Sequence, residues 1–176
     1  MAWIQTYTGK AFKPFEPTPE MIDLRDIAHA LSMICRFNGH CRQFYSVAEH
    51  CVRMSEEVRP IVAIHALLHD AAEAYVSDVA RPIKPHLPMF KAIEGKVMDV
   101  IYEHFNLQID PAIEAEIKCA DLGMLATERS QLMAIKAPEW DSLKGVPPYK
   151  ITLECWSPDK AEACFLGRFL ELHQRD

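Results

Sequence analysis

Hydrophobic and polar positions change period several times along the chain, and each change predicts an element. Trp3-Ile4-Gln5-Thr6-Tyr7-Thr8 and Ala11-Phe12 flank Gly9-Lys10, a pattern that predicts a short β-hairpin. Prolines at positions 14, 17 and 19 end it. From about 23 to 34 the spacing becomes helical, with Ile27, Ala30, Leu31 and Ile34 on one face. Arg36-Phe37-Asn38-Gly39 supplies the stop. Ser46-Val47-Ala48-Glu49 fits a capping box and puts His50 in the first turn of a helix running to about 58. Pro60 opens a third helix, expected to continue to about 76 and apolar over most of its circumference. Pro82, Pro85 and Pro88 make 77–88 mostly loop. Further helices are expected at about 89–105, 111–135 and 158–173, with a polar loop around Val146-Pro147-Pro148. The sum is an all-α helical bundle with a small N-terminal β-hairpin. No repeat, low-complexity tract or linker divides the chain, so 1–176 reads as one domain.

Composition narrows the class of protein. Hydrophobic residues make up 49% of the 176 and charged residues 25%, an ordinary globular balance with enough apolar material for a substantial core. No apolar run approaches the roughly 20 residues that cross a bilayer. The first residues carry neither a basic segment nor a continuous apolar stretch, so the expectation is a cytoplasmic protein with no membrane partner. A net charge of −6 argues against a nucleic-acid polymer as partner, since such binding needs a basic stripe. A small phosphate-bearing ligand needs only one or two well-placed cations. Cys35, Cys41, Cys51, Cys119, Cys155 and Cys164 include no Cys-x-x-Cys pair and read as small core residues in a reducing compartment.

The chemistry concentrates in the third helix. Among its alanines and leucines stand His65, His69, Asp70 and Glu73. A buried carboxylate without a partner is expensive, and a bound cation is one way to offset that. Two other predicted helices place a ligand-type residue on an apolar face. His50 lies between Val47 and Met54, and Asp121 continues the series Ile113, Ile117 toward Met124. Two imidazoles and two carboxylates suit Mn²⁺, Co²⁺, Fe²⁺, Mg²⁺ or Zn²⁺, with water completing the coordination.

The order His50, His69-Asp70, Asp121 resembles the signature of HD-domain phosphohydrolases. The likeness is nearest to the bacterial 5′-deoxynucleotidases and their phage and prophage relatives. It rests on Arg36-Phe37, Ser-Val-Ala-Glu-His50, His69-Asp70-x-x-Glu73, Asp78-x-x-x-Pro82-Ile83-Lys84 and Ala120-Asp121, and spans about residues 20 to 130. The resemblance implies an HD-domain helical bundle holding one divalent metal ion on His50, His69, Asp70 and Asp121. It implies Glu73 as the residue that orients or deprotonates the attacking water. Asp78 would protonate the leaving group or contact the sugar. Arg36 and Lys84 would grip phosphate oxygens, and a homodimer would be the assembly. Phe37 departs from the family's tryptophan, a wall that disfavours a 2′-hydroxyl, so discrimination of deoxyribose is an open point.

The activity expected from this resemblance is hydrolysis of (deoxy)nucleoside 5′-monophosphates to nucleoside and phosphate. A triphosphohydrolase of deoxynucleoside triphosphates or an alarmone pyrophosphohydrolase is the first rival, with Arg81, Lys91 or Lys96 supplying extra charge. A metal-stabilised nucleotide-binding protein without turnover is the second. His65 reads as a packed histidine, His40 as a solvated loop histidine or one that approaches substrate, and His86 and His104 as unrelated to a mononuclear site. Glu128 and Arg129 read either as a pair supporting Asp121 or as an exposed pair.

Overall fold

Side-chain caps and N-terminal prolines start the helices. Asp23 caps α1 (Leu24–Met33) by accepting from the Arg25 amide, and Ser46 caps α2 (Val47–Glu56) by accepting from that of Glu49. The short α3 (Ala63–Leu68) and α4 (Glu73–Val76) follow, and α5 (Pro88–His104) opens on proline. Asp110 takes the Ala112 and Ile113 amides at the head of α6 (Pro111–Leu132), and Ser157 caps α7 (Pro158–His173). These elements come from a computed structural model that describes residues 2–134 and 136–174. The fold is all-α with one small antiparallel hairpin, β1 (Ile4–Gln5) and β2 (Ala11–Phe12), in which Ile4 pairs with Phe12 and Gln5 with Ala11.

Two apolar clusters share α2 and α3. The larger joins Ile27 and Leu31 of α1, Val47 and Cys51 of α2, Leu67 of α3, Ile101 of α5 and Phe165 of α7. The smaller joins Met54 of α2, Ala66 of α3, Ile117 and Met124 of α6, and Leu153. Each fully buried aliphatic or aromatic side chain contributes about 1.5–3 kcal/mol by leaving water. The hairpin is tied in by Phe12, which is fully buried and stacks on Tyr75 at 4.1 Å, and by Asp26, which accepts from the Thr8 amide at 2.6 Å. No helix among the described residues is long and apolar enough to cross a membrane.

The expected third helix from about 60 to 76 is interrupted. A 3₁₀ turn spans Pro60–Val62, α3 ends at Leu68, and α4 begins only at Glu73. Between them the backbone bonds skip back three residues: Ala71 to Leu68 at 2.9 Å and Glu73 to Asp70 at 2.9 Å. A three-residue turn stacks side chains at i and i+3 on one line, so Asp70 and Glu73 come to the same face. The helix expected over 111–135 ends at Leu132; position 135 itself lies outside the described residues.

The C-terminal segment is strapped across the bundle by buried polar groups. Glu49, with no exposed surface, accepts from the backbone amides of Glu154 (3.1 Å), Cys155 (3.2 Å) and Trp156 (2.6 Å). Only half of the expected capping box therefore forms: Ser46 caps the helix, but the Glu49 carboxylate is spent on the distant strap. Thr127 of α6 bonds the Gly123 carbonyl and receives the Tyr149 amide, both at 2.8 Å, which lays the Tyr149 ring on Gly123.

Candidate metal centre

Three elements meet at the seam between the two clusters. The first turn of α2 presents His50, the tight turn after α3 presents His69 and Asp70, and the middle of α6 presents Asp121. His50 Nε2 lies 3.3 Å from His69 Nε2, 3.6 Å from Asp121 Oδ1 and 3.9 Å from Asp70 Oδ2, and His69 Nε2 lies 3.2 Å from Asp70 Oδ2. His50, His69 and Asp121 thus bring donor atoms within 4.8 Å of one another, and Asp70 lies against both imidazoles.

The other ring nitrogens fix the chemistry of those that converge. His69 Nδ1 is 2.8 Å from the Ala66 carbonyl, which can only accept, so Nδ1 carries the proton. His50 Nδ1 is 2.6 Å from Glu128 Oε1. Burial disfavours charge on Glu128, yet Arg36 and His50 hold its carboxyl below the ordinary range, so this oxygen also accepts. With both Nδ1 atoms donating, both Nε2 lone pairs point toward the same small space beside two carboxylates. Beyond the charge that Arg36 and Arg81 bring to the two carboxylates, the close Nε2 lone pairs call for positive charge between them. A proton on His69 is one solution: burial opposes it, but Asp70 holds the His69 pKa well above its usual value. A divalent cation is the other, and His50, His69 and Asp121 have donor atoms close enough to share one. The His50 imidazole is sealed from solvent and that of His69 nearly so, while the carboxylates of Asp70 and Asp121 are about one-fifth exposed, which leaves an open side.

That side opens into a cleft of about 710 Å³, a size suited to a small organic ligand. Arg36, Asp70, Glu73, Asp78, Arg81 and Lys84 line one part of it, and Phe37, Leu125, Met133 and Trp140 another. Glu73 is nearly buried, its Oε2 has no hydrogen-bond partner, and burial together with Asp70 and Asp78 pushes its carboxyl up to about 9 against the pull of Lys84. Lys84 Nζ reaches Glu73 at 3.5 Å and Glu94 at 2.9 Å. Arg36 sits at 3.1 Å from Glu128 and 3.5 Å from Asp70. Phe37 and Asn38 behind it both adopt positive φ (58° and 51°), a strained conformation that turns the loop carrying Arg36 and Phe37 into the cleft.

All nine residues singled out from the sequence, namely Arg36, Phe37, His50, His69, Asp70, Glu73, Asp78, Lys84 and Asp121, therefore border this cleft or its floor. Three others take definite places only in three dimensions: Glu128 and Arg81, which the sequence left among alternatives, and Glu94, which it did not single out. Glu128 is fully buried and orients His50, so the exposed-pair reading fails. Its signal was present: seven residues after Asp121, it shares that residue's helix face. Arg81 closes an ion pair with Asp121, and Glu94 steadies Lys84. His65 is packed, with Nε2 2.9 Å from the Gln108 carbonyl, while His40 lines the cleft. His86 and His104 belong to no group of potential ligands among the described residues. Cys51 lies 3.9 Å from His69 Nδ1, the nitrogen already given to Ala66. All six cysteines are free, although Cys35 and Cys41 place their sulfurs 3.6 Å apart.

Comparison with known proteins gives relatives of nearly the same length. YfdR of Escherichia coli, described as an uncharacterized protein, is 40% identical over 175 residues, 99% of this chain and 97% of the relative. An uncharacterized protein of Rhodobacter capsulatus is 30% identical over 183 residues, 95% of this chain and 93% of the relative. No protein-family model matches the chain.

Proposed function

The chain belongs to the family of Escherichia coli YfdR, and we propose that it is a metal-dependent phosphohydrolase of the HD-domain type acting on (deoxy)nucleoside 5′-monophosphates. One observation carries the reading. Two imidazole Nε2 atoms and two carboxylates converge at the floor of a cleft whose walls hold a buried glutamate and three cationic side chains.

His50, His69, Asp70 and Asp121 hold the cation, with Glu128 orienting His50. Bound there, a divalent ion supplies charge that acidifies water and cancels the carboxylate repulsion on Glu73. Glu73 aligns the attacking water and takes its proton. Arg36, Lys84 and Arg81 bind the phosphoryl oxygens and stabilise the negative charge that builds up on them. Asp78, which lines the same cleft, passes the proton taken up by Glu73 on to the departing 5′-oxygen, so that both carboxyls end the cycle as they began it. The net change is one water consumed, one P–O bond broken, and nucleoside and phosphate released.

Arg81 gives the triphosphate reading a specific foothold, because a third cation at the cleft could hold further phosphates. Product analysis separates the two. Purified, cation-supplied protein incubated with nucleoside mono- and triphosphates is expected to release orthophosphate from monophosphates. Tripolyphosphate from triphosphates would move the assignment, and intact nucleotides throughout would overturn hydrolysis altogether.

A further inference from the structure

Polarity changes along the cleft in an ordered way. At one end stand the four convergent ligand groups with Arg36 against Asp70 at 3.5 Å. The Phe37 ring comes next, 5.5 Å from the Arg36 guanidinium carbon. Beyond it lies the Trp140 indole, 6.0 Å from Phe37 with the rings inclined at 45°. The lining thus connects charge to one aromatic ring, and that ring to a second and wider one. A ligand that fits has an anionic head, a middle portion and a planar, weakly polar far end.

Trp140 is also held in place. It lies in an irregular stretch after α6, which no periodicity would mark as functional. Arg129, the residue after Glu128 on α6, donates to the Pro138 carbonyl at 3.1 Å and sets its guanidinium 5.7 Å from the Trp140 ring centre. The element that orients His50 through Glu128 thus also anchors the loop that brings Trp140 to the cleft. A half-buried indole fixed at the mouth of a polar site offers a flat surface at little ordering cost.

We propose that Trp140 is the nucleobase platform of this site, packing against the base of a nucleotide whose phosphate lies at the Arg36 end. The proposal rests on the nucleotide reading above and adds to it a residue, a contact and a ranking. The cleft's other apolar lining residues, Leu125 and Met133, offer surface rather than hydrogen bonds, so affinity follows stacking area and purine nucleotides bind more tightly than pyrimidine ones.

The test is equilibrium binding by calorimetry in a Glu73→Gln background, which removes turnover, alongside kinetics in the otherwise native chain. Trp140→Ala is expected to weaken dAMP binding about 5- to 100-fold, the range for loss of one base–aromatic stack. Trp140→Phe restores most of it, and 2-deoxyribose 5-phosphate, which lacks the base, binds equally to all three. In kinetics the loss appears in KM. Unchanged dAMP binding in Trp140→Ala overturns the platform, as does an equal loss for dAMP and the abasic sugar phosphate, or failure of the parent protein to bind dAMP. Trp140-dependent binding without phosphate release by the native chain would support the platform and overturn hydrolysis alone.

Discussion

Glu128 Oε1 stands 2.6 Å from His50 Nδ1, and the other oxygen of the same carboxylate accepts from Arg36 at 3.1 Å. One buried acid thereby sets the tautomer of His50, which could hold a metal ion, and the position of Arg36, for which phosphate binding is proposed. Its removal strands both. Glu128→Ala is expected to lower cation affinity 10- to 100-fold and to destabilise the fold by about 3–5 kcal/mol. Glu128→Gln, still an acceptor, should lose less of both. Titration calorimetry with Mn²⁺ and chemical denaturation read the two effects, and an unaltered Mn²⁺ affinity in both variants would contradict this role.

Arg81 pairs with Asp121 and is half exposed, so the pair itself is worth about 0–1 kcal/mol. Arg81→Ala should raise cation affinity by no more than about fivefold, since Asp121 loses a competitor. Phosphate grip moves the other way, and KM for nucleotide should rise. A lower cation affinity in Arg81→Ala would show that the arginine supports the ligand set rather than competing for it.

Gly123 lies within α6 where a Cβ would meet the Tyr149 ring at 2.6 Å. Alanine normally gains about 0.8–1 kcal/mol over glycine inside a helix. Here that gain is opposed by overpacking of about 1–3 kcal/mol. Gly123→Ala is expected to destabilise the native chain yet to stabilise a Tyr149→Ala background. Urea denaturation of the four proteins measures that change of sign, and the same sign in both backgrounds would contradict it.

Glu154, whose amide Glu49 holds, is a carboxyl of the strap with its own acid response. Hydrogen bonds from Lys160, then the Trp156 indole and Arg53, hold its carboxyl down at about 2. A carboxyl depressed in the folded state stabilises the fold above its unfolded pKa of about 4.3 and loses that contribution as pH falls toward 2. Glu154→Gln should therefore flatten the decline of stability between about pH 4.5 and 2 relative to the native chain. Parallel declines across that window would refute it.

Much of this arrangement was legible in the sequence because polar residues interrupted apolar faces. His50 and Asp121 stand out on α2 and α6 for that reason, and Ser46, Asp110 and the prolines mark helix starts within a residue or two. The break between α3 and α4 was not legible. His69 and Ala72 keep helical φ and ψ, and only the hydrogen bonds shift from four residues to three. Glu128 was ambiguous because α6 carries charge on several faces, and burial of one glutamate depends on which helices cover it. Arg81 and Trp140 lie in loops, where periodicity is silent and proximity is decided by the fold. The same holds for Cys35 and Cys41, whose closeness follows from the bend at Arg36–Gly39.

The most direct measurement is orthophosphate release from deoxynucleoside 5′-monophosphates by protein stripped with chelator and then resupplied with Mn²⁺, Co²⁺ or Mg²⁺, beside Asp70→Ala. The predicted result is no release from stripped protein, recovery with at least one cation, and none from Asp70→Ala under any condition. Release that survives both stripping and the substitution would contradict a cation held by His50, His69, Asp70 and Asp121, and no release with any cation would contradict the hydrolytic reading.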